Sequence, residues 1–123
     1  MAKILVVDDS LTIRTSLSNI LKKLGHEVVL AKDGIEGLSQ LKANPDSALA
    51  FVDVHMPQLD GLNMIKQIKE DPDTYASIPI VVLTTENNQQ KVAVGKSYGA
   101  TAWCLKPATP DQIATIVEKL VHT

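Results

Sequence analysis

The chain has 123 residues, 45% of them hydrophobic and 21% charged, which is enough apolar material for one core and defines a single expected domain over residues 1–123. A formal net charge of -2 provides no basic face for direct nucleic-acid binding, and no apolar run has the length of a membrane span or the architecture of a signal peptide. A cytoplasmic, monomeric protein with neither a membrane nor a DNA partner is expected. One cysteine, Cys104, excludes an internal disulfide, and its place in an apolar run marks it as a buried inert thiol. The histidines at 26, 55 and 122 lack the spacing of a zinc site.

Strand and helix signals alternate along the chain. Ile4-Leu5-Val6-Val7 reads as a first buried strand. Ile13, Leu17, Ile20, Leu21 and Leu24 then recur at helical spacing, with Asp9 or Ser10 as the cap and Gly25 as the stop. Val28-Val29-Leu30-Ala31 is the second strand. Asp33 with Glu36 resembles a capping box, opening a helix whose inward residues are Ile35, Leu38 and Leu41 and which Asn44-Pro45 closes. The third strand, Leu49-Ala50-Phe51-Val52-Asp53, ends abruptly in a carboxylate. Met56 to Asp60 form a loop, a helix with Leu62, Ile65 and Ile68 inward starts near Gly61, and Asp71 to Pro79 form a polar connection.

Ile80-Val81-Val82-Leu83 is the fourth strand. The helix after it is the weakest of the series, because Gly95 and Gly99 interrupt a sparse apolar pattern. Ala102-Trp103-Cys104-Leu105 is the fifth strand, and Pro110-Asp111 begin a last helix with Ile113, Ile116, Val117 and Leu120 on one face. Five β-α units with short connections favour a parallel α/β sheet, doubly wound, with helices on both faces and right-handed crossovers.

The strands end in chemistry. Asp8-Asp9, Asp53, Thr84 and Lys106 each follow an apolar run, and in an open parallel sheet the carboxyl edge is where ligands bind. Val7-Asp8-Asp9-Ser10, Val52-Asp53, Met56-Pro57-Gln58-Leu59-Asp60-Gly61, Leu83-Thr84-Thr85 and Leu105-Lys106-Pro107 together resemble the ordered motifs of bacterial response-regulator receiver domains, of the stand-alone chemotaxis type. The resemblance covers essentially the whole chain. It implies the flavodoxin-like strand order 2-1-3-4-5, a cis Lys106-Pro107 peptide bond, and a phosphorylation-activated switch in a two-component system.

Three carboxylates at adjacent strand ends repel one another, so Asp8, Asp9 and Asp53 require either a cation or a raised pKa on one member. A hard divalent ion is the economical answer, since Mg²⁺ takes oxygen ligands and keeps several waters. By resemblance its ligands are Asp9, Asp53 and the main-chain oxygen of His55, with Asp8 supporting them through a water. The resemblance also makes Asp53 the phosphoacceptor, attacking the phosphohistidine of a sensor histidine kinase to give an acyl phosphate. The metal and Lys106 supply the charge stabilisation that phosphoryl transfer demands, and Thr84 moves to bond the new phosphoryl oxygen. Implied partners are the kinase, an output protein such as a flagellar-motor component, and a phosphatase. A chain of this kind catalyses only its own phosphorylation and dephosphorylation and is not otherwise an enzyme.

Three residues depart from the commoner family pattern. Trp103 stands where Tyr or Phe is usual, so the aromatic switch must be made by a bulkier ring. Thr85 replaces a small residue beside Thr84, and His55 lies two positions past Asp53, near the path of an attacking water. The competing reading is a Mg²⁺-dependent phosphatase of the acid-anhydride type, but those enzymes resemble a pattern with a second Asp where this chain has His55. A phosphate sink or relay for a kinase remains an alternative use of the same site. A flavodoxin-like cofactor binder would need a phosphate cradle where Asp8-Asp9 is repulsive.

Overall fold

The computed structural model describes residues 2–54, 61–70, 78–84, 96–97, 99–106 and 108–121. Strands β1 (Lys3–Val7), β2 (Glu27–Ala31), β3 (Leu49–Asp53), β4 (Ile80–Thr84) and β5 (Ala102–Leu105) form one sheet in the order β2-β1-β3-β4-β5. Every pairing is parallel, as expected. The described helices are α1 (Leu11–Lys23), α2 (Gly34–Ala43), α3 (Gly61–Glu70) and α4 (Pro110–Leu120). Of the helix expected after β4, Lys96 and Ser97 are described as helical and Gly99 as a turn with a φ of 111°. The loop from His55 to Asp60, most of the connection from Asp71, Thr85 and the Lys106-Pro107 bond lie outside the described residues.

Strand side chains alternate between two apolar layers, as the twofold period of a strand requires. Leu5, Val7, Ala50, Val52 and Val82 pack with Leu41 of α2 and Met64, Ile65 and Ile68 of α3. Ile4, Val6, Phe51, Val81 and Leu83 pack on the other face with Leu17 and Leu21 of α1 and Ile113 and Val117 of α4. The central strands β3 and β4 are buried at every position, which is why their sequences read as unbroken apolar runs rather than alternating ones.

Local signals set the helix ends. Ser10 caps α1, its hydroxyl accepting the Ile13 N–H, and Gly25 supplies the positive φ of 91° that turns the chain away from the helix. Leu24 lies past the helix end and is 42% exposed, outside the apolar face to which its spacing assigned it. At α2, the Asp33 carboxylate accepts the Glu36 N–H at 2.8 Å, but Glu36 reaches back to the Lys32 N–H at 3.2 Å rather than to that of Asp33. Thr109 and Gln112 complete a reciprocal capping box at α4 that the Pro110-Asp111 signal did not reveal.

Of the residues expected to face inward in α2, Leu41 is fully buried and Leu38 packs on the core, but Ile35 does not. Ile35 is 56% exposed, while the fully buried residues are Gly34, Gly37 and Leu41. A Cβ on Gly37 would stand 2.7 Å from Met64 Cε and 3.0 Å from Val7 Cγ2. The missing side chain is what lets α2 approach both β1 and α3, and it turns Ile35 outward.

The turn into β2 is closed by His26, whose N–H donates to the Leu21 carbonyl and whose Nδ1 accepts the Ala2 N–H, each at 3.1 Å. Burial first, and the positive amino terminus second, hold the His26 pKa below 6.5. Protonation therefore favours the unfolded chain. The contribution of this imidazole is complete above its unfolded value and is lost as pH falls from there through the lowered folded one. Urea midpoints measured between about pH 7.5 and about pH 5 should fall more steeply for the wild type than for His26→Asn, which keeps an acceptor but does not titrate. Equal slopes would rule the imidazole out as a source of the pH dependence.

Candidate acidic site at the carboxyl edge of the sheet

Strand register explains how residues so distant in sequence meet. Val7 pairs with Val52, so Asp8 and Asp53 leave β1 and β3 at the same level. Asp53 pairs with Leu83 and Thr84 with Leu105, so Thr84 and then Lys106 each stand one step further along the edge. Backbone bonds fix these steps, with Asp8 N–H donating to Ala31 O at 3.1 Å and Lys106 N–H to Thr84 O at 2.8 Å.

Asp8 is completely buried, Asp53 is 4% exposed and Thr84 1%. Asp9 is exposed beside them. One carboxylate oxygen from each of Asp8, Asp9 and Asp53 can be chosen so that all lie within 4.8 Å of one another. Two buried carboxylates need a counter-charge, and Lys106 provides it. Its Nζ lies 2.6 Å from Asp8 Oδ2 and 3.3 Å from Asp53 Oδ1. Burial, the largest influence, disfavours the Lys106 charge, but the combined pull of Asp8 and Asp53 outweighs it and holds the ammonium's pKa above the ordinary lysine value.

Asp8 is held on every side. Its Oδ1 accepts the Ser10 N–H at 2.9 Å, and its carbonyl accepts Arg14 Nη1 at 2.5 Å. No motif flagged Arg14; the only available signal was its position one turn beyond the α1 cap, on the side of the helix facing the loop. Three clustered carboxylates carry more negative charge than Lys106 offsets, and such oxygen donors suit a hard divalent cation, so the residues present fit the expected metal. His55, the expected main-chain ligand, lies outside the described residues.

Trp103 pairs with Val82 and packs against the α2/α3 layer. Strand alternation puts Thr84 on this same face, one pleat repeat beyond Val82. The indole Nε1 is buried and, among the described residues, has no hydrogen-bond partner. Cys104 points the opposite way, is 7% exposed, and has its thiol pKa raised by burial, as expected of an inert core thiol. Among the described residues no helix is long and apolar enough to cross a membrane.

A doubly wound parallel sheet with an acidic cluster and a lysine at its carboxyl edge defines a class of phosphoacceptor domain, and the comparisons with known proteins agree. The model of the response regulator receiver domain matches residues 4–118. The chain is 36% identical over 122 residues to chemotaxis protein CheY1 of Helicobacter pylori, covering 98% of both sequences. It is 34% identical to the CheY homolog of Campylobacter jejuni, covering 98% of this chain and 93% of that one. Among solved structures, chemotaxis protein CheY4 of Vibrio cholerae superposes with a TM-score of 0.92 at 36% identity, over 98% of this chain and 99% of that one. The chain belongs to the response regulator receiver domain family. It is a phosphorylation-activated switch of two-component signalling, of the kind that interacts with histidine kinases and downstream targets.

Proposed function

We propose that this protein is a cytoplasmic chemotaxis switch in which Asp53 takes a phosphoryl group from a sensor histidine kinase and the phosphorylated form binds an output protein, such as a flagellar-motor component. The observation that carries this reading is the Lys106 ammonium between Asp8 and Asp53, two acids that cluster with Asp9. It joins a nucleophile, a cation able to follow negative charge, and an oxygen-rich metal cradle in one place.

Asp9, Asp53 and the main-chain oxygen of His55 would hold Mg²⁺, with Asp8 behind them. When bound, the ion supplies neutralisation of the phosphoryl oxygens. An Asp53 oxygen forms the new O–P bond as the N–P bond of the donor phosphohistidine breaks, and the electron pair leaves with the imidazole. Lys106 transfers its pairing to a phosphoryl oxygen, and the Thr84 hydroxyl donates to another. The Lys106 contacts to Asp8 and Asp53 thus describe the resting arrangement, before a phosphoryl group competes for the amine.

Output follows from Trp103. Phosphorylation adds about -1.5 to -2 charge and strong acceptor oxygens. Withdrawal of Thr84 toward those oxygens changes the space open to the indole on that face of the sheet, and its rotation remodels the surface around β5. That surface includes a groove of about 610 Å³ between β5 and α4, lined by Trp103, Lys106, Gln112, Thr115 and Ile116.

Trp103 is the only tryptophan, so its fluorescence reports the change directly. Beryllofluoride with Mg²⁺ should shift emission or quencher access in the wild type and leave Thr84→Ala largely unchanged. Bound beryllofluoride with unaltered wild-type emission and quenching would remove Trp103 as the lever.

A further inference from the structure

Three acids are gathered at the site, but they are not equally well held. Asp8 is fixed through its N–H, its carbonyl and both carboxylate oxygens. Asp53 is buried at the end of a central strand and pairs with Lys106. Asp9 is exposed, and among the described residues its carboxylate has no hydrogen-bond partner. Its position therefore depends on the backbone that carries it.

The Asp8–Asp9 peptide unit is anchored at its carbonyl by Arg14, whose Nη1 donates to Asp8 O at 2.5 Å. The arginine is itself fixed in the first turn of α1, where its N–H bonds Ser10 O at 3.0 Å. Ser10 caps that same helix. The result is a closed loop of contacts, from Asp8 through Ser10 and α1 back to Asp8, and Asp9 sits within it.

We propose that Arg14 is a positioning residue for the metal site, clamping the Asp8–Asp9 peptide so that the Asp9 carboxylate is presented for the cation. This rests on the Mg²⁺ reading above. Groups that orient metal ligands without touching the metal commonly matter about 10- to 100-fold in affinity. A charge-assisted bond to the peptide beside a ligand belongs at the lower end of that range.

The sign of the effect separates positioning from simple electrostatics. Arg14 carries a positive charge near a cation site, so by charge alone its removal would tighten Mg²⁺ binding. As a clamp, its removal must loosen binding. The two accounts predict opposite changes for the same substitution.

The test is calorimetric titration of the full chain with Mg²⁺ alone, for the wild type, Arg14→Met and Arg14→Lys, after circular dichroism shows each variant folded. Arg14→Met keeps the aliphatic stem and should weaken Mg²⁺ binding by about 10-fold. Arg14→Lys keeps one donor and should recover part of that loss, even though it retains the charge that opposes the ion. Should Arg14→Met fail to fold, Arg14→Lys alone decides, with weaker binding than wild type required. Wild-type or tighter affinity in the folded variants overturns the clamp while leaving the metal reading intact. Absence of Mg²⁺ binding by the wild type overturns the metal reading itself, and the clamp with it.

Discussion

Incubated with acetyl phosphate and Mg²⁺, the wild-type protein is expected to acquire a single hydroxylamine-labile phosphoryl group, and Asp53→Asn none. Asp53 lies at the end of a central strand with every residue buried, and Lys106 Nζ stands 3.3 Å from its Oδ1. Asp8 shares that lysine but is completely buried and held through both carboxylate oxygens, which fixes it in place behind the site. Asp9 is exposed, and among the described residues it forms no ion pair with Lys106. Asparagine matches the shape of the nucleophile but has no carboxylate to attack with, so labelling should fall to background with the fold retained. Intact-mass measurement before and after hydroxylamine decides the matter, and undiminished labelling of Asp53→Asn would sink the assignment.

The second large effect is expected from Lys106→Met in the absence of divalent metal. The lysine pairs with Asp8 and Asp53, whose side chains are 0% and 5% exposed while its own is 14%. Removing one partner of a buried ion pair typically costs about 3–5 kcal/mol, because the remaining charge stays behind without compensation. Mg²⁺ and the ammonium neutralise the same carboxylates, so the variant should be rescued by the ion more strongly than the wild type is. At about ten times its dissociation constant a ligand stabilises the folded state by roughly 1.4 kcal/mol. Urea unfolding of both proteins in chelator and in Mg²⁺ measures the two effects together. A loss below about 1 kcal/mol in chelator, or equal rescue of both proteins, would show that the amine is not the site's internal counter-charge.

Strand ends were the most legible part of this molecule, because an apolar run that stops at Asp, Thr or Lys marks both a buried strand and the chemistry at its edge. Asp8, Asp9 and Asp53 cluster as the motifs indicated, and Lys106 joins two of them. In α2, Leu38 and Leu41 face the core as their spacing indicated, but Ile35 was misread for a physical reason. Apolar periodicity registers side chains, whereas the close approach of that helix to β1 and α3 is made by Gly37, which has none. Met64 was passed over in α3 although it is fully buried and touches the space above Gly37. Arg14 was invisible for another reason. Its partner is a backbone carbonyl, and a carbonyl is present at every residue, so no spacing of residue types can point to it.

The bond from Lys106 to Asp8 spans 98 residues of sequence, and this long reach governs when the site can exist during folding. Contacts of such separation close slowly, because the entropy of the intervening loop must be overcome before they contribute. β1 and β3 can pair, bringing Asp8 and Asp53 together, while β5 is still unattached. At that stage two carboxylates face each other with no ammonium between them. A nascent or partly folded chain is thus self-repelling at the future site, and docking of β5 relieves that repulsion in the step that completes the sheet. Divalent cation in the refolding buffer should therefore act early, stabilising the incomplete sheet before the lysine arrives. The same ion that serves phosphoryl transfer in the finished protein would be a folding aid for the unfinished one.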